Sequence, residues 1–265
     1  MTSVQFLGGG RMADALLGGL LAAGHSPSDI AVVEISPARR DELISAHPGV
    51  AVLSEPGPAD ALVVATKPGD AVDALATAAA AAPGLRRVLS IAAGVGTAAL
   101  QAAVGDSVAV VRAMPNTPAL VGEGASAICA GPTAVDADLD WAEGLLGAVG
   151  TVVRVPERSM DAVTGLSGSG PAYVFLVAEA LIDAGVAAGL PRDVADRLTR
   201  QTLLGSARLL AESDDGPEAL RAAVTSPGGT TAAALGVLMN ETDGFAPLLA
   251  RAVQAAADRS RELGQ

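Results

Sequence analysis

Along the first 155 residues, short apolar runs alternate with longer stretches whose apolar positions recur at helical spacing. VQFL (4–7), IAVVE (30–34), ALVVAT (61–66), RVLSIA (87–92), SVAVVRAM (107–114), SAICA (126–130) and TVVRV (151–155) have the length and β-branched content of strands. Helix-compatible segments separate most of them, including the alanine-rich 71–82, where the run expresses helix propensity. This alternation predicts a parallel sheet wound with helices on both faces. After Val155 the strand-like runs stop. PAYVFLVAEALIDAGVAAGL places Pro171 at a first helical position and closes before Pro191. Residues 192–213 read as an amphipathic helix with Val194, Leu198, Leu209 and Leu210 on its apolar side, and 217–224, 230–241 and 245–263 complete a helical region. The expected architecture is an α/β domain, residues 1–158, followed by an all-α domain, residues 159–265, with the change falling near 155–162. The helix from 171 carries only Glu179 and Asp183 as charges, and a helix apolar on nearly all sides needs cover on nearly all sides. A second copy is the simplest cover, so the helical domain is expected to dimerise.

The first strand runs into Gly8, Gly9 and Gly10 and then into a helix. Gly8, Gly10 and Ala13 fit G-x-G-x-x-[G/A], in which small residues allow a tight turn, close approach to a pyrophosphate, and packing of helix on strand. The helix start would offer its N–H groups to the phosphates; a plain tight connection has the same local sequence. Glu34 ends the second strand where an acid can bind the ribose hydroxyls of NAD, while Ser36, Arg39 and Arg40 just beyond could receive the 2′-phosphate of NADP. These signals oppose each other and leave the coenzyme open between NADPH and NADH. The loops ATKPGD, AAGVG and MPNTPA follow strands and are expected to face the ligand.

Charge narrows the partners. Lys and Arg total 17 against 29 Asp and Glu, a formal net charge of -12 in 265 residues, which repels nucleic acid and anionic lipid. Acids, glycines and prolines interrupt the apolar stretches, and no cleavable leader is visible at the N-terminus, so a soluble cytoplasmic protein without membrane or nucleic-acid partners is expected. Cys129 is the only cysteine; it reads as a small buried hydrophobe, and no metal site is expected.

Missing residues narrow the chemistry. Lys67 is the only lysine, and the two histidines, His25 and His47, lie in the N-terminal half and read as surface loop residues. Carbonyl reduction by hydride transfer needs a proton donor for the developing alkoxide, and the helical domain has neither histidine nor lysine. Tyr173, the only tyrosine, reads as a core or interface ring. A C=N bond can arrive already protonated, which makes an imine the leading substrate class. GLSGSGP (165–171) lacks the Gly-Lys-Ser/Thr ending of a phosphate loop and reads as a tight turn into the long helix. In TSPGGTT (225–231), Pro227 and two glycines bring the chain close to a ligand, free N–H groups of the next helix can bind a carboxylate, and Thr231 can place a hydroxyl beside a ring nitrogen.

Taken in order, FLGGGRMADALLGGL, VATKP, SIAAGV, RAMPNTPALVGEG, GLSGSGPAYVF and TSPGGTT resemble the pyrroline-5-carboxylate reductase family across nearly the whole chain. The resemblance implies a Rossmann-type domain followed by a helical dimerisation domain, often assembled into decamers. It implies hydride transfer from NADPH or NADH to the imine carbon of L-1-pyrroline-5-carboxylate, giving L-proline. By matching positions, Gly8, Gly9, Gly10, Arg11, Met12, Ala13, Ser36, Ala65, Thr66, Lys67, Pro68, Ala92, Ala93, Gly94 and Asn116 would surround the coenzyme; Glu34, for ribose hydroxyls, and Arg39, for a 2′-phosphate, are candidates from their place after the second strand and not from the resemblance. Ser226, Gly228, Gly229, Thr230 and Thr231 would bind the substrate, Thr231 as the catalytic hydroxyl. Arg11 stands where asparagine is common, Ala222 where an acid is frequent, and Asp214 near a position often held by glutamate. Competing expectations are a reductase of a related substrate, either another cyclic imine or a β-hydroxy acid, and a non-catalytic dinucleotide-binding redox sensor.

Overall fold

The computed structural model describes residues 2–263. Eight strands form one sheet in the order β3-β2-β1-β4-β5-β6-β7-β8: β1 Thr2–Leu7, β2 Ile30–Val33, β3 Ala51–Leu53, β4 Ala59–Val64, β5 Arg87–Ser90, β6 Ala109–Met114, β7 Gly124–Ala130 and β8 Gly150–Arg154. Period-two alternation sends neighbours to opposite faces. Phe6, Val63, Leu89, Val111 and Ile128 form one core with α1 (Arg11–Ala22), α2 (Pro37–Ala46) and α5 (Asp136–Gly147), through Leu16, Leu17, Leu43 and Leu146. Leu7, Leu62, Val64, Val88 and Val110 form the other with α3 (Ala71–Ala81) and α4 (Thr97–Val104), through Leu75 and Leu100.

The sheet departs from the wholly parallel expectation at one place, because β7 runs antiparallel to β6. Only residues 115–123 join them, with a single 3-10 turn over Thr117–Val121. A parallel return needs a dozen or more residues, so the chain must reverse. The short β3, three half-exposed residues beside β2, has no run long enough to announce itself in sequence.

After β8, a single turn α6 (Met160–Val163) passes through a π-type turn at Thr164–Gly168 into α7 (Gly170–Ala187), so GLSGSGP continues a helix where a tight turn was expected. Then follow α8 (Arg192–Glu212), α9 (Pro217–Ala223), α10 (Thr230–Leu238) and α11 (Phe245–Leu263). The chain divides into two compact units: one runs through Ser169 and takes up the chain again at Gln254, and the other is Gly170–Val253. Fully buried Met160 clusters with Ala127 and Cys129, and Ser260 Oγ lies 2.8 Å from Asp161 Oδ1, which ties both segments to the first unit.

His47 corrects the expectation of a surface histidine. It closes α2 with only 8% of its surface exposed, and its Nε2 meets Asp14 Oδ1 of α1. Burial by itself would raise the Asp14 carboxyl, but hydrogen bonds from His47 and Arg39 outweigh it and hold the group below its ordinary 3.8. A depressed folded value stabilises the fold above that pH and ceases to do so as pH falls through the folded value. Asp14→Asn is therefore expected to cost about 1–2 kcal/mol at pH 7. The difference from the parent protein should shrink only below 3.8, as read from urea midpoints along a pH series.

Candidate active site

At the carboxyl ends of β1, β2 and β4, where strand order reverses about β1, the first unit opens a cavity of about 590 Å³ lined by Gly8, Gly10, Glu34, Ala65, Thr66 and Ala74, among others. Gly8 makes the opening possible. Its φ is +95°, and a Cβ there would sit 2.9 Å from the Ala65 carbonyl oxygen. Gly10 is different: a Cβ would meet nothing within 4 Å. It caps α1 without any side-chain acceptor, which leaves the helix's first amides facing open space, and Ala13 behind them is fully buried. Arg11 is exposed and Met12 packs against the core. Thr66 Oγ1 is buried with no hydrogen-bond partner among the described residues, a feature that no local pattern predicts.

The charged residues at the rim are arranged otherwise than their sequence neighbourhood implies. Glu34 turns inward, Oε2 accepting from Gly9 N–H at 2.9 Å and Oε1 from Ser36 N–H at 2.8 Å. Arg39 is committed to the protein: Nε donates to Gly9 O, Nη2 to Asp14 and Nη1 to Glu42, each at 2.7 Å. Ser36 caps α2, its hydroxyl 3.5 Å from Arg39 N. Arg40 Nη1 donates to the Glu34 and Ile35 carbonyls, both at 2.9 Å.

Lys67 and Pro68 are exposed at the turn after β4, and Ala92, Ala93 and Gly94 form the loop after β5. The start of α4 just beyond that loop is held from a distance the sequence did not disclose: Glu157 accepts from both Thr97 N–H and Thr97 Oγ1 at 2.6 Å and lies 3.5 Å from buried Arg112. Asn116 braces rather than reaches, its Oδ1 accepting from Ala125 N–H and its Nδ2 donating to Ser167 O. Cys129 is no nucleophile, because burial and the Glu157 carboxylate push its thiol up to about 11.

In the second unit, Gly228 at φ +71° turns the chain into α10. Gly229 N–H closes the turn onto Ser226 O at 3.0 Å, so Gly229 shapes the turn without donating beyond it. The first intrahelical bond is Ala233 N–H to Gly229 O, and no side chain caps the helix, which leaves the amides of Thr230, Thr231 and Ala232 at its start. Thr231 is half-buried and Thr230 exposed. A cavity of about 560 Å³ between α9 and α10, lined by Arg221, Thr225 and Met239, contains none of residues 226–231.

No residue of α7 is buried, and Val174, Phe175 and Leu176 are 52–64% exposed. Leu198, Leu209 and Leu210 on α8 are at least half exposed, and Val194 at 37% is only slightly less so, so the expected apolar side faces outward while Ala195 and Thr199 are covered. By length and composition alone, Glu157–Ala187 is apolar enough to cross a bilayer; Glu179 and Asp183 do not break the run as the sequence reading supposed.

A profile for pyrroline-5-carboxylate reductase dimerisation matches residues 157–263, and one described as NADP oxidoreductase, coenzyme F420-dependent, matches residues 3–94. A pyrroline-5-carboxylate reductase of a Synechocystis strain is 45% identical, over 98% of this chain and 97% of its own. Among solved structures, a pyrroline-5-carboxylate reductase from Coxiella burnetii superposes with TM-score 0.91 at 37% identity, covering 100% of both chains. The Plasmodium falciparum pyrroline carboxylate reductase with NADP bound gives TM-score 0.85 at 31% identity, covering 100% of this chain and 98% of its own. With that identity running end to end through both units, the chain belongs to the pyrroline-5-carboxylate reductase family.

Proposed function

We infer that the protein reduces the C=N bond of L-1-pyrroline-5-carboxylate to L-proline with NADPH or NADH. The observation that carries this is the uncapped start of α10, in a unit without histidine or lysine. Such a seat suits a carboxylate on an electrophile that brings its own proton.

The first unit fits a dinucleotide. The space beside Gly10 is what a Cβ would fill, the α1 amides lack an internal acceptor, and Thr66 Oγ1 lacks a partner. When bound, the nicotinamide supplies the hydride. Gly8, Gly9 and Gly10 shape the pyrophosphate seat, and the amides of Arg11, Met12 and Ala13 supply its dipole. Ala65, Thr66, Lys67 and Pro68 and the loop Ala92, Ala93 and Gly94 form the walls beyond it, while Asn116 keeps its own loop in place.

In the second unit, the amides of Thr230, Thr231 and Ala232 hold the substrate carboxylate, with Ser226, Gly228 and Gly229 setting their direction. The Thr231 hydroxyl orients the ring nitrogen, so the chain positions the imine and stabilises the amine product without donating a proton to carbon or oxygen. Residues 1–158 carry the coenzyme and 159–265 carry the carboxylate seat and self-association. The protein is a homo-oligomer whose unit is a dimer joined through the exposed apolar helices, with assembly to a decamer built from such dimers, in the cytoplasm.

Purified protein, either coenzyme and pyrroline-5-carboxylate are expected to yield proline in step with loss of nicotinamide absorbance. No proline with either coenzyme would overturn the assignment. Binding of coenzyme without turnover of any imine would favour the sensor.

A further inference from the structure

The rim of the coenzyme cavity holds a fixed carboxylate where the two coenzymes differ. They share every group except the 2′-phosphate, and an acid at the end of the second strand of such folds faces the ribose 2′-hydroxyl. Here that acid is Glu34. Its two oxygens accept from Gly9 N–H and Ser36 N–H, so it cannot swing away without releasing the glycine turn and the start of α2. Each oxygen retains a second lone pair for a hydroxyl donor.

The neighbouring cations do not offset it equally. Arg39 is neutralised by Asp14 and Glu42 and spends its third nitrogen on Gly9 O. Arg40 carries no carboxylate partner within 4.0 Å among the described residues, but both its recorded bonds fix Nη1 on the carbonyls of Glu34 and Ile35. The anion that the start of α2 attracts is already present as Glu34, which the Ser36 amide holds. Counting Asp14, Glu34, Glu42, Arg39 and Arg40, the rim keeps an excess of negative charge and repels a further dianion.

Resting on the reductase reading above, we propose that Glu34 is the coenzyme-discriminating residue and that this protein binds NADH in preference to NADPH. Arg39 is a positioning residue for the glycine turn that also screens Asp14 and Glu42.

Calorimetry on the full chain tests this without turnover. NADH is expected to bind at least about tenfold more tightly than NADPH, and adenosine 5′-monophosphate more tightly than adenosine 2′,5′-bisphosphate. Glu34→Gln should bring the two dinucleotides to within about threefold of each other. Damage to the glycine turn weakens both alike, so the ratio still reports on the charge. Arg39→Ala should weaken both and, because it bares Asp14 and Glu42, move their ratio only further toward NADH. Equal or tighter NADPH binding by the parent protein, a ratio unmoved by Glu34→Gln, or a ratio shifted toward NADPH by Arg39→Ala would overturn the proposal. Binding of neither dinucleotide would overturn the reductase reading itself, a separate outcome from a wrong preference.

Discussion

Gly8→Ala is expected to weaken NADH and NADPH binding at least about a hundredfold, close to 3 kcal/mol, and to lower stability at the same time. Two independent obstacles meet at this residue. Its φ of +95° is a backbone conformation that alanine adopts only under strain of about 1–3 kcal/mol. The added Cβ would also lie 2.9 Å from the Ala65 carbonyl oxygen, 3.1 Å from its carbon and 3.2 Å from Thr66 N. All three are main-chain atoms, so no rotamer change relieves the contact. Relief requires the ends of β1 and β4 to part, which breaks the Ala65 N–H bond to Leu7 O and disturbs the Gly8 N–H bond to Val33 O. Gly10→Ala is the control: its φ of −67° suits alanine and nothing lies within 4 Å of the new methyl. It should leave the urea midpoint unchanged while lowering coenzyme affinity. Gly8→Ala with affinity within about threefold of the parent would show that the cavity is not the coenzyme seat.

Gly229→Ala should raise KM for pyrroline-5-carboxylate by about thirtyfold or more, with dissociation constants for the coenzyme unchanged; a carboxylate held by charge-assisted amide bonds worth about 1.5–3 kcal/mol sets that scale. Here conformation is no obstacle, since φ is −79°, and space is everything. A Cβ would fall 2.3 Å from Ser226 Oγ and 3.1 Å from Ser226 O. The hydroxyl can rotate away, but the carbonyl belongs to the turn that Gly229 N–H closes. Opening that turn redirects the amides at the start of α10. Thr231→Ala, which removes a hydroxyl without disturbing the backbone, should instead lower kcat about tenfold with little change in KM. If either variant lost coenzyme affinity in proportion to its kinetic loss, the 226–231 segment would be a structural element and the carboxylate would bind elsewhere.

The strands were legible because each is an apolar run bounded by polar or glycine-rich segments, and that pattern reports burial directly. Where burial is weak, legibility fails: Ala51–Leu53 is half exposed and looks like loop. The direction of β7 depends on how little chain lies between Met114 and Gly124, which is a property of closure and not of either strand. The glycine fingerprint and the TSPGGTT turn were readable for a related reason, since both require small residues at particular backbone positions. The side-chain arrangement around them was not. Arg39 reads in sequence as a candidate phosphate ligand and His47 as a surface loop residue, and the fold joins both to Asp14 across 25 and 33 positions of sequence.

The amino-acid sequence alone settled most of the strands and helices, the two glycine turns, and a helical region without histidine or lysine, because periodicity, backbone tolerance and the absence of a residue type are all local or countable. Only the tertiary structure decided which charges at the rim of the glycine-turn cavity remain free. Glu34 and Arg39 differ in availability through hydrogen bonds to partners on other elements, and a polar side chain's partner is chosen by three-dimensional proximity that spacing along the chain does not encode.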